Sequence, residues 1–557
     1  MSARRSTSDD ARRKQRARRR AQRRQRSVLA VLLLVVVLAV ATGLLIGLHA
    51  VAGAFNEPSS TSGFYTPRVI VVGVDGRSEL TQADRDVLGE YEAETAAVLT
   101  PQRCAASGWA SLSSLAEAEV SCDPTVTDIG VVDDWQDRQA EAARTAAELG
   151  SLAGDGPNCV AAVGPLAAIG AARSDGTTAE YLDLDGFRAA EYETSCPVVL
   201  VDPGDRADEV IRELAGVEDA TLIVAGMGGG QDVQMLYRLG TTLPGWLTSE
   251  TTGRTGVVTL PDLAMTLRGA VTGEAVEATP YAHPLQLVDR DGGVGPDRLQ
   301  EHLTQTERLV TVPTKALLWV IGVMIGVAVV GLLVWRLGPG RSREVALPFV
   351  ASLAASLPPA LLLAGMTAWW RSDAPGRSLF VSVVLSWVIT VAVTVGSRWI
   401  GPLVRRGLTG WSLLAVLTFL LCLGDAALDG FLRRNSLLAV RPMRQFSGFD
   451  GSVMALLIGS GLAVLGVLGA WEGLARRVKS AGAEEDTETK LKRRLRRPLP
   501  FDLLGRPVTG IAVVVVTVLA AVWTARTPSV LDMVAFVVVL GWFLAAGFWL
   551  RRTMPAR

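Results

Sequence analysis

A chain of 557 residues, 49% of them hydrophobic and with positive mean hydropathy, is long enough for one soluble domain plus a membrane region. Its 55 basic and 55 acidic residues cancel only as an average, because arginine crowds residues 1–27 while residues 55–314 carry an acidic excess. That excess argues against nucleic acid as a partner of the middle segment, since a phosphate backbone would repel it.

Residues 1–27 read as a basic cytoplasmic tail. Residues 28–53 (VLAVLLLVVVLAVATGLLIGLHAVAG) contain no charge and exceed the length needed to cross a bilayer core. Their apolar stretch is roughly twice that of a cleavable signal peptide, which predicts an uncleaved signal anchor. The arginines before it hold the N-terminus inside by the positive-inside rule. Residues 54–314 are then expected on the extracytoplasmic side of an inner (plasma) membrane.

Within that segment, valine- and isoleucine-rich runs at 68–75, 159–164, 197–202 and 220–226 alternate with helical stretches such as 137–149 and 207–214. The alternation predicts an α/β domain with a parallel sheet covered on both faces. Ligands of such sheets bind beyond the carboxyl ends of the strands. Those ends are Asp75-Gly76, Gly164-Pro165, Asp202-Pro203 and the run from Gly226 to Gly230, whose amides could cradle a phosphate or form a simple loop. Cys104, Cys122, Cys159 and Cys196 all fall here, an even set that suggests two disulfides in an oxidising compartment. Three pairings exist; Cys104–Cys122 with Cys159–Cys196 is favoured because each closes a short local loop. Four buried free thiols are the alternative.

Apolar runs resume near 316–335, 346–370, 379–396, 411–428, 453–471, 508–523 and 530–550, making about eight transmembrane helices with the first. Helices two to six occupy 315–475, a charged cytoplasmic loop 476–507, helices seven and eight 508–550, and a cytoplasmic tail 551–557. Loops expected inside are basic, and tryptophans stand near the span ends. Pro348, Pro358 and Pro359 interrupt one span, which leaves room for a kinked or broken helix. One outer loop breaks the charge rule: it carries Arg433, Arg434, Arg441 and Arg444, and its span carries Asp425 and Asp429. Internal salt bridges are one reading; an anion site for a phosphate or pyrophosphate head group is the other.

The order of VIVVGVDG (core at 70–76), CAASGWASLSS (104–114) and TSETTGRTGVVTLPDLAMTL (248–267) resembles the alkaline phosphatase superfamily. GDAALDGFLRRNSLLAVRPMRQFSGFDG (424–451) is similar to a loop in bacterial membrane proteins bearing an extracytoplasmic domain of that type. The resemblance implies an alkaline phosphatase-like domain, with Asp75 as a metal ligand and Ser111, placed in GWASL, as the nucleophile beside two metal ions. The Asp-His pair expected after a later strand is replaced by VAGMGGGQD, and the chain holds three histidines, His49, His283 and His302. Asp202, Asp232, Asp262 and His283 complete a site only by special assembly, so a pseudoenzyme without cofactor is the economical expectation. Such a protein would bind a partner, an envelope-biogenesis protein for example, or a phosphorylated lipid or glycan intermediate. The alternatives are an active phospho- or sulfo-transferase or hydrolase with a divalent metal, and a transporter or flippase of a polyprenyl-linked substrate.

Overall fold

The computed structural model describes residues 68–101, 103–144, 148–154, 158–240, 244–274, 277–279, 282–289, 294–338, 340–396, 410–427, 430–438, 452–464 and 530–553. The first apolar run, the run at 508–523, Asp429, Arg441 and Arg444 lie outside them.

Among the described residues ten strands form one mixed sheet: β1 (Arg68–Val74), β2 (Glu94–Leu99), β3 (Val160–Val163), β4 (Glu180–Leu182), β5 (Val198–Val201), β6 (Ala220–Gly226), β7 (Val233–Arg238), β8 (Gly245–Thr248), β9 (Val257–Thr259) and β10 (Gln286–Asp289). Their order is β10-β8-β2-β7-β6-β1-β5-β3-β4, with β9 pairing β2 off this path. The sequence pattern anticipates the parallel strands β3-β5-β1-β6, and it misses β4, the three-residue edge strand that pairs parallel with β3. It does not anticipate the antiparallel strands β7 and β10. β7 follows β6 after only six residues, too few for the crossover that a parallel neighbour requires. Its sequence, VQMLYR, buries Gln234 and Arg238, so polar residues mask a fully buried strand.

Side chains alternate across β1. Ile70, Val72 and Val74 enter a core shared with helices Gln82–Glu90 and Ala207–Ala215, while Val69 and Val71 join helices Ala105–Ser114 and Leu260–Thr272 on the other face. The sheet is thus covered on both sides. Arg238 of β7 stands opposite Glu94 of β2 in the register, and the two form an ion pair with each side chain 2% exposed. Burial drives the Glu94 carboxyl above its ordinary range, against the pull of Arg238. Cys104–Cys122 and Cys159–Cys196 are disulfides, with Cα separations of 5.7 and 5.0 Å, in the pairing favoured from loop length.

Among the described residues, three helical stretches are long and apolar enough to cross a membrane: within Pro296–Leu337, and at Ala346–Met366 and Pro375–Val395. Shorter apolar helices occupy Trp411–Asp425, Ser452–Val464 and Met533–Ala546. Ala346–Met366 is the central one, since 78% of its most apolar window is buried, against 6% and 22% for the other two. It also carries the prolines. Pro358 has no amide to give Ala354, four residues earlier, and the Trp542 indole donates to that orphaned carbonyl at 2.9 Å. Helix Pro296–Leu337 runs unbroken for 42 residues, about 63 Å at 1.5 Å per residue. Its first turns pack on the sheet through Leu299 and Leu303, and its later turns are apolar and exposed. No loop separates the α/β domain from this span.

Candidate functional site at the domain–bundle junction

The strand ends come first. Asp75 follows β1 and lies against the loop after β6, where the Gly76 amide donates to the Gly228 carbonyl at 2.7 Å. Gly229 adopts φ +88°, and the Asp75 carboxylate fills the space that a Cβ would need, so glycine is required for this closure. Asp202 at the end of β5 accepts from the Leu166 amide (3.0 Å) and the Gly204 amide (3.2 Å). Burial first, and the charge of Asp202 second, raise the Asp75 carboxyl above the usual carboxylate range, with the Gly76 amide opposing. Burial likewise raises Asp202 despite its two amide donors. A phosphate approaching Gly228–Gly230 would meet two carboxylates, which weighs against an anion cradle at this edge.

Ser111 sits elsewhere in the logic of the fold. It is 1% exposed within helix Ala105–Ser114, donates to the Ser107 carbonyl (2.8 Å) and accepts from the Ala118 amide (3.0 Å). Ser107 holds Val120 in the same fashion at 3.2 Å. Both hydroxyls pin residues 118–120 to the helix, and a side chain so enclosed is not presented to a substrate. The nucleophile role implied by GWASL has no support in this placement.

Asp262 is a hub. It occupies the third position of helix Leu260–Thr272 in a capping box with Thr259. Its fully buried carboxylate accepts from Ser249 Oγ (2.7 Å), Thr251 Oγ1 (2.5 Å), the Thr259 amide (2.8 Å) and the His283 amide (3.0 Å). Burial raises this carboxyl, and the four donors, led by Ser249 and Thr251, oppose the rise. Thr251 gives its single proton to Asp262, so His283 Nδ1, 3.1 Å away, is the donor to Thr251. Four donors leave Asp262 no oxygen turned toward a metal. Among the described residues no three His, Cys, Asp or Glu side chains gather as a ligand set. The donor set does not fit the two-metal centre that the resemblance implies.

What Asp262 organises is the loop 249–256, and this loop meets the membrane helices. Arg434 donates to the Gly253 carbonyl. In return Arg254 donates to the Arg434 carbonyl (3.0 Å) and to Asn435 Oδ1. Gly253 adopts φ +58°, and a Cβ there would stand 2.6 Å from Arg434 Nη2, so the close approach needs glycine. Trp369 donates its indole N–H to the Asn435 carbonyl (3.0 Å), and the Arg254 guanidinium lies 5.9 Å from the Trp370 ring centroid. Arg308 of the long helix donates to the carbonyls of Trp370 (3.3 Å) and Ser372 (3.1 Å), and His302 to that of Gly256 (2.8 Å). Desolvation, and then the charge of Arg434, lower the Arg254 guanidinium to about 10.

On the membrane side, Asp425 accepts the Leu432 amide (2.6 Å) and the Arg433 amide (3.4 Å), shaping the turn that presents Arg433 and Arg434. Arg433 is 4% exposed. The sequence marked Arg433, Arg434 and Asp425, and the structure brings them together. Arg254 and Asn435 were not marked, and Trp370 only as one of the tryptophans near a span end. Their only signal was an arginine between glycines in TTGRTG and a doubled tryptophan at a span end. The chain was also compared with family models, curated proteins and solved structures, and it matches none.

Proposed function

We propose that this protein is a multi-pass inner-membrane protein of the bacterial cell envelope whose outer α/β domain is non-catalytic and binds a phosphorylated lipid or glycan intermediate at the membrane surface. The observation that carries the reading is the junction, where the domain's most organised loop is committed to the arginine turn of the bundle rather than to a catalytic centre. The similarity of motif order to the alkaline phosphatase superfamily supports a domain descended from a phosphate-handling fold. Ser111 buried in a helix and Asp262 saturated with donors support loss of catalysis. In this reading the N-terminus is cytoplasmic, and the domain and the 430–438 turn share the outer side.

A hydrolase is the second reading, and one observation favours it: Asp75 is an exposed carboxylate at the end of the central strand. Purified full-length protein, assayed on a generic phosphodiester with zinc, manganese or magnesium, separates the two. The proposal expects no turnover. Turnover abolished by Asp75→Asn would replace it with the hydrolase.

A further inference from the structure

We propose that residues 28–53, the first apolar run, dock on the bare face of helix Pro296–Leu337, with Gly47 and Gly43 seated against Gly322 and Gly326. The inference rests on the topology of the reading above, in which both runs cross the membrane, and is independent of what the protein binds.

The membrane part of this helix has two unlike faces. Ala316, Val320, Met324 and Val327, three or four residues apart, pack against the apolar core. Gly322 lies two residues from both Val320 and Met324, about 200° round a helix of 3.6 residues per turn, and Gly326 follows one turn on. Both glycines are exposed, as are Leu318, Trp319, Ile325 and Val329 around them. A Cβ at either glycine would meet no heavy atom within 4 Å among the described residues. Lipid gives no reason for glycine here, since it is a poor helix former and offers acyl chains almost no surface. A second helix does, because glycines four residues apart let two backbones approach closely.

One segment of the same chain matches this face. Of the eight apolar runs, only 28–53 and 316–335 hold a pair of glycines four residues apart. The two runs cross in opposite directions, so depth is counted from their outer ends, Gly53 and Ala316. Gly47 and Gly43 stand 6 and 10 residues from Gly53, and Gly322 and Gly326 stand 6 and 10 residues from Ala316. At 1.5 Å per residue both pairs lie about 9 and 15 Å below the outer end of their run. Residues 54–67 join the first run to β1 and reach at most about 50 Å, which keeps it beside the helix of its own chain. That tether gives it a higher local concentration than a second copy would have.

Two measurements on the full-length chain test the docking. Gly322→Leu combined with Gly326→Leu is followed by thermal unfolding in nanodiscs. Leucine on a lipid-facing surface would leave the melt unchanged or raise it, whereas docking predicts a fall of several degrees. For the second, a protease sequence is inserted after Ser60, and Gly47→Cys is combined with Gly322→Cys. Membranes are oxidised with copper phenanthroline, cut with the protease and run on a non-reducing gel; the native free thiol, Cys422, is buried. The two fragments are expected to stay joined at the mass of one chain. Gly47→Cys with Leu333→Cys, an exposed position about 16 Å deeper, should not link. An unchanged or raised melt, equal linking of the Leu333 pair, or no link within the chain overturns the docking. A product of twice the chain mass gives the face to a second copy and overturns it too. If the double leucine variant does not fold, the cross-link decides alone. A cut N-terminal fragment washed from the membrane by carbonate refutes the topology and the docking with it, while a retained fragment that does not link refutes the docking alone.

Discussion

At the scale of single residues, the carboxylates behave differently according to what surrounds them. Asp75 and Asp202 are raised by burial and, for Asp75, by each other's proximity. A carboxyl raised in the folded state binds its proton more tightly there than in the unfolded chain. Its stabilising contribution is therefore complete below the unfolded value and is lost as pH rises through the folded one. The melting temperature should accordingly climb as pH falls from neutral toward the ordinary carboxylate range, and Asp75→Asn should flatten that slope. Asp262 is raised by burial as well, but it differs in accepting four donors, which lose their acceptor without it. Asp262→Ala is expected to cost about 3 kcal/mol or more, read by denaturant unfolding, because buried donors lose their acceptor. Asp75 was visible in the sequence because it ends a valine-rich strand. The hub was invisible, because its partners Ser249, Thr251 and His283 come together only after β8, the loop and helix Leu260–Thr272 have folded.

At the scale of elements, the strands that were legible are those whose side chains are apolar on both faces. β1, β3, β5 and β6 read directly as VIVV-type runs. β7 did not, since its buried Arg238 finds its counter-charge on β2, a partner that no local pattern announces. The prolines of the span were legible; that the helix Gly340–Leu363 continues through all three, and how the freed carbonyl is satisfied, was not. Trp542 lies 188 positions away from the carbonyl it satisfies. Trp542→Phe should destabilise the bundle by about 1–2 kcal/mol, the cost of an unmet buried acceptor. In a Pro358→Ala background, where the backbone amide is restored, the same change should cost clearly less, as thermal unfolding of the two pairs will tell. Equal costs in both backgrounds would remove the orphaned carbonyl as the explanation.

At the scale of the whole molecule, the long helix and the junction are two separate ties between the α/β domain and the membrane helices. Charge and hydropathy alone suggested a domain tethered above a bundle, with a boundary near residue 314. The helix Pro296–Leu337 passes through that position unbroken, with His302 tied to the Gly256 carbonyl of the domain and Arg308 to the Trp370 and Ser372 carbonyls of the bundle. The arginines that broke the charge rule were legible as an anomaly. That one of them, Arg434, reaches the domain's backbone was not, since the contact spans 181 positions. Domain and bundle therefore should move as one body. Spin labels at Glu274→Cys, beyond helix Leu260–Thr272, and Asp373→Cys, between two apolar helices, report this directly; among the cysteines the sole free thiol, Cys422, is buried. Pulsed dipolar spectroscopy of the full-length protein in nanodiscs should give a single narrow distance distribution. A broad distribution, as from a domain swinging on a tether, would contradict the docked arrangement.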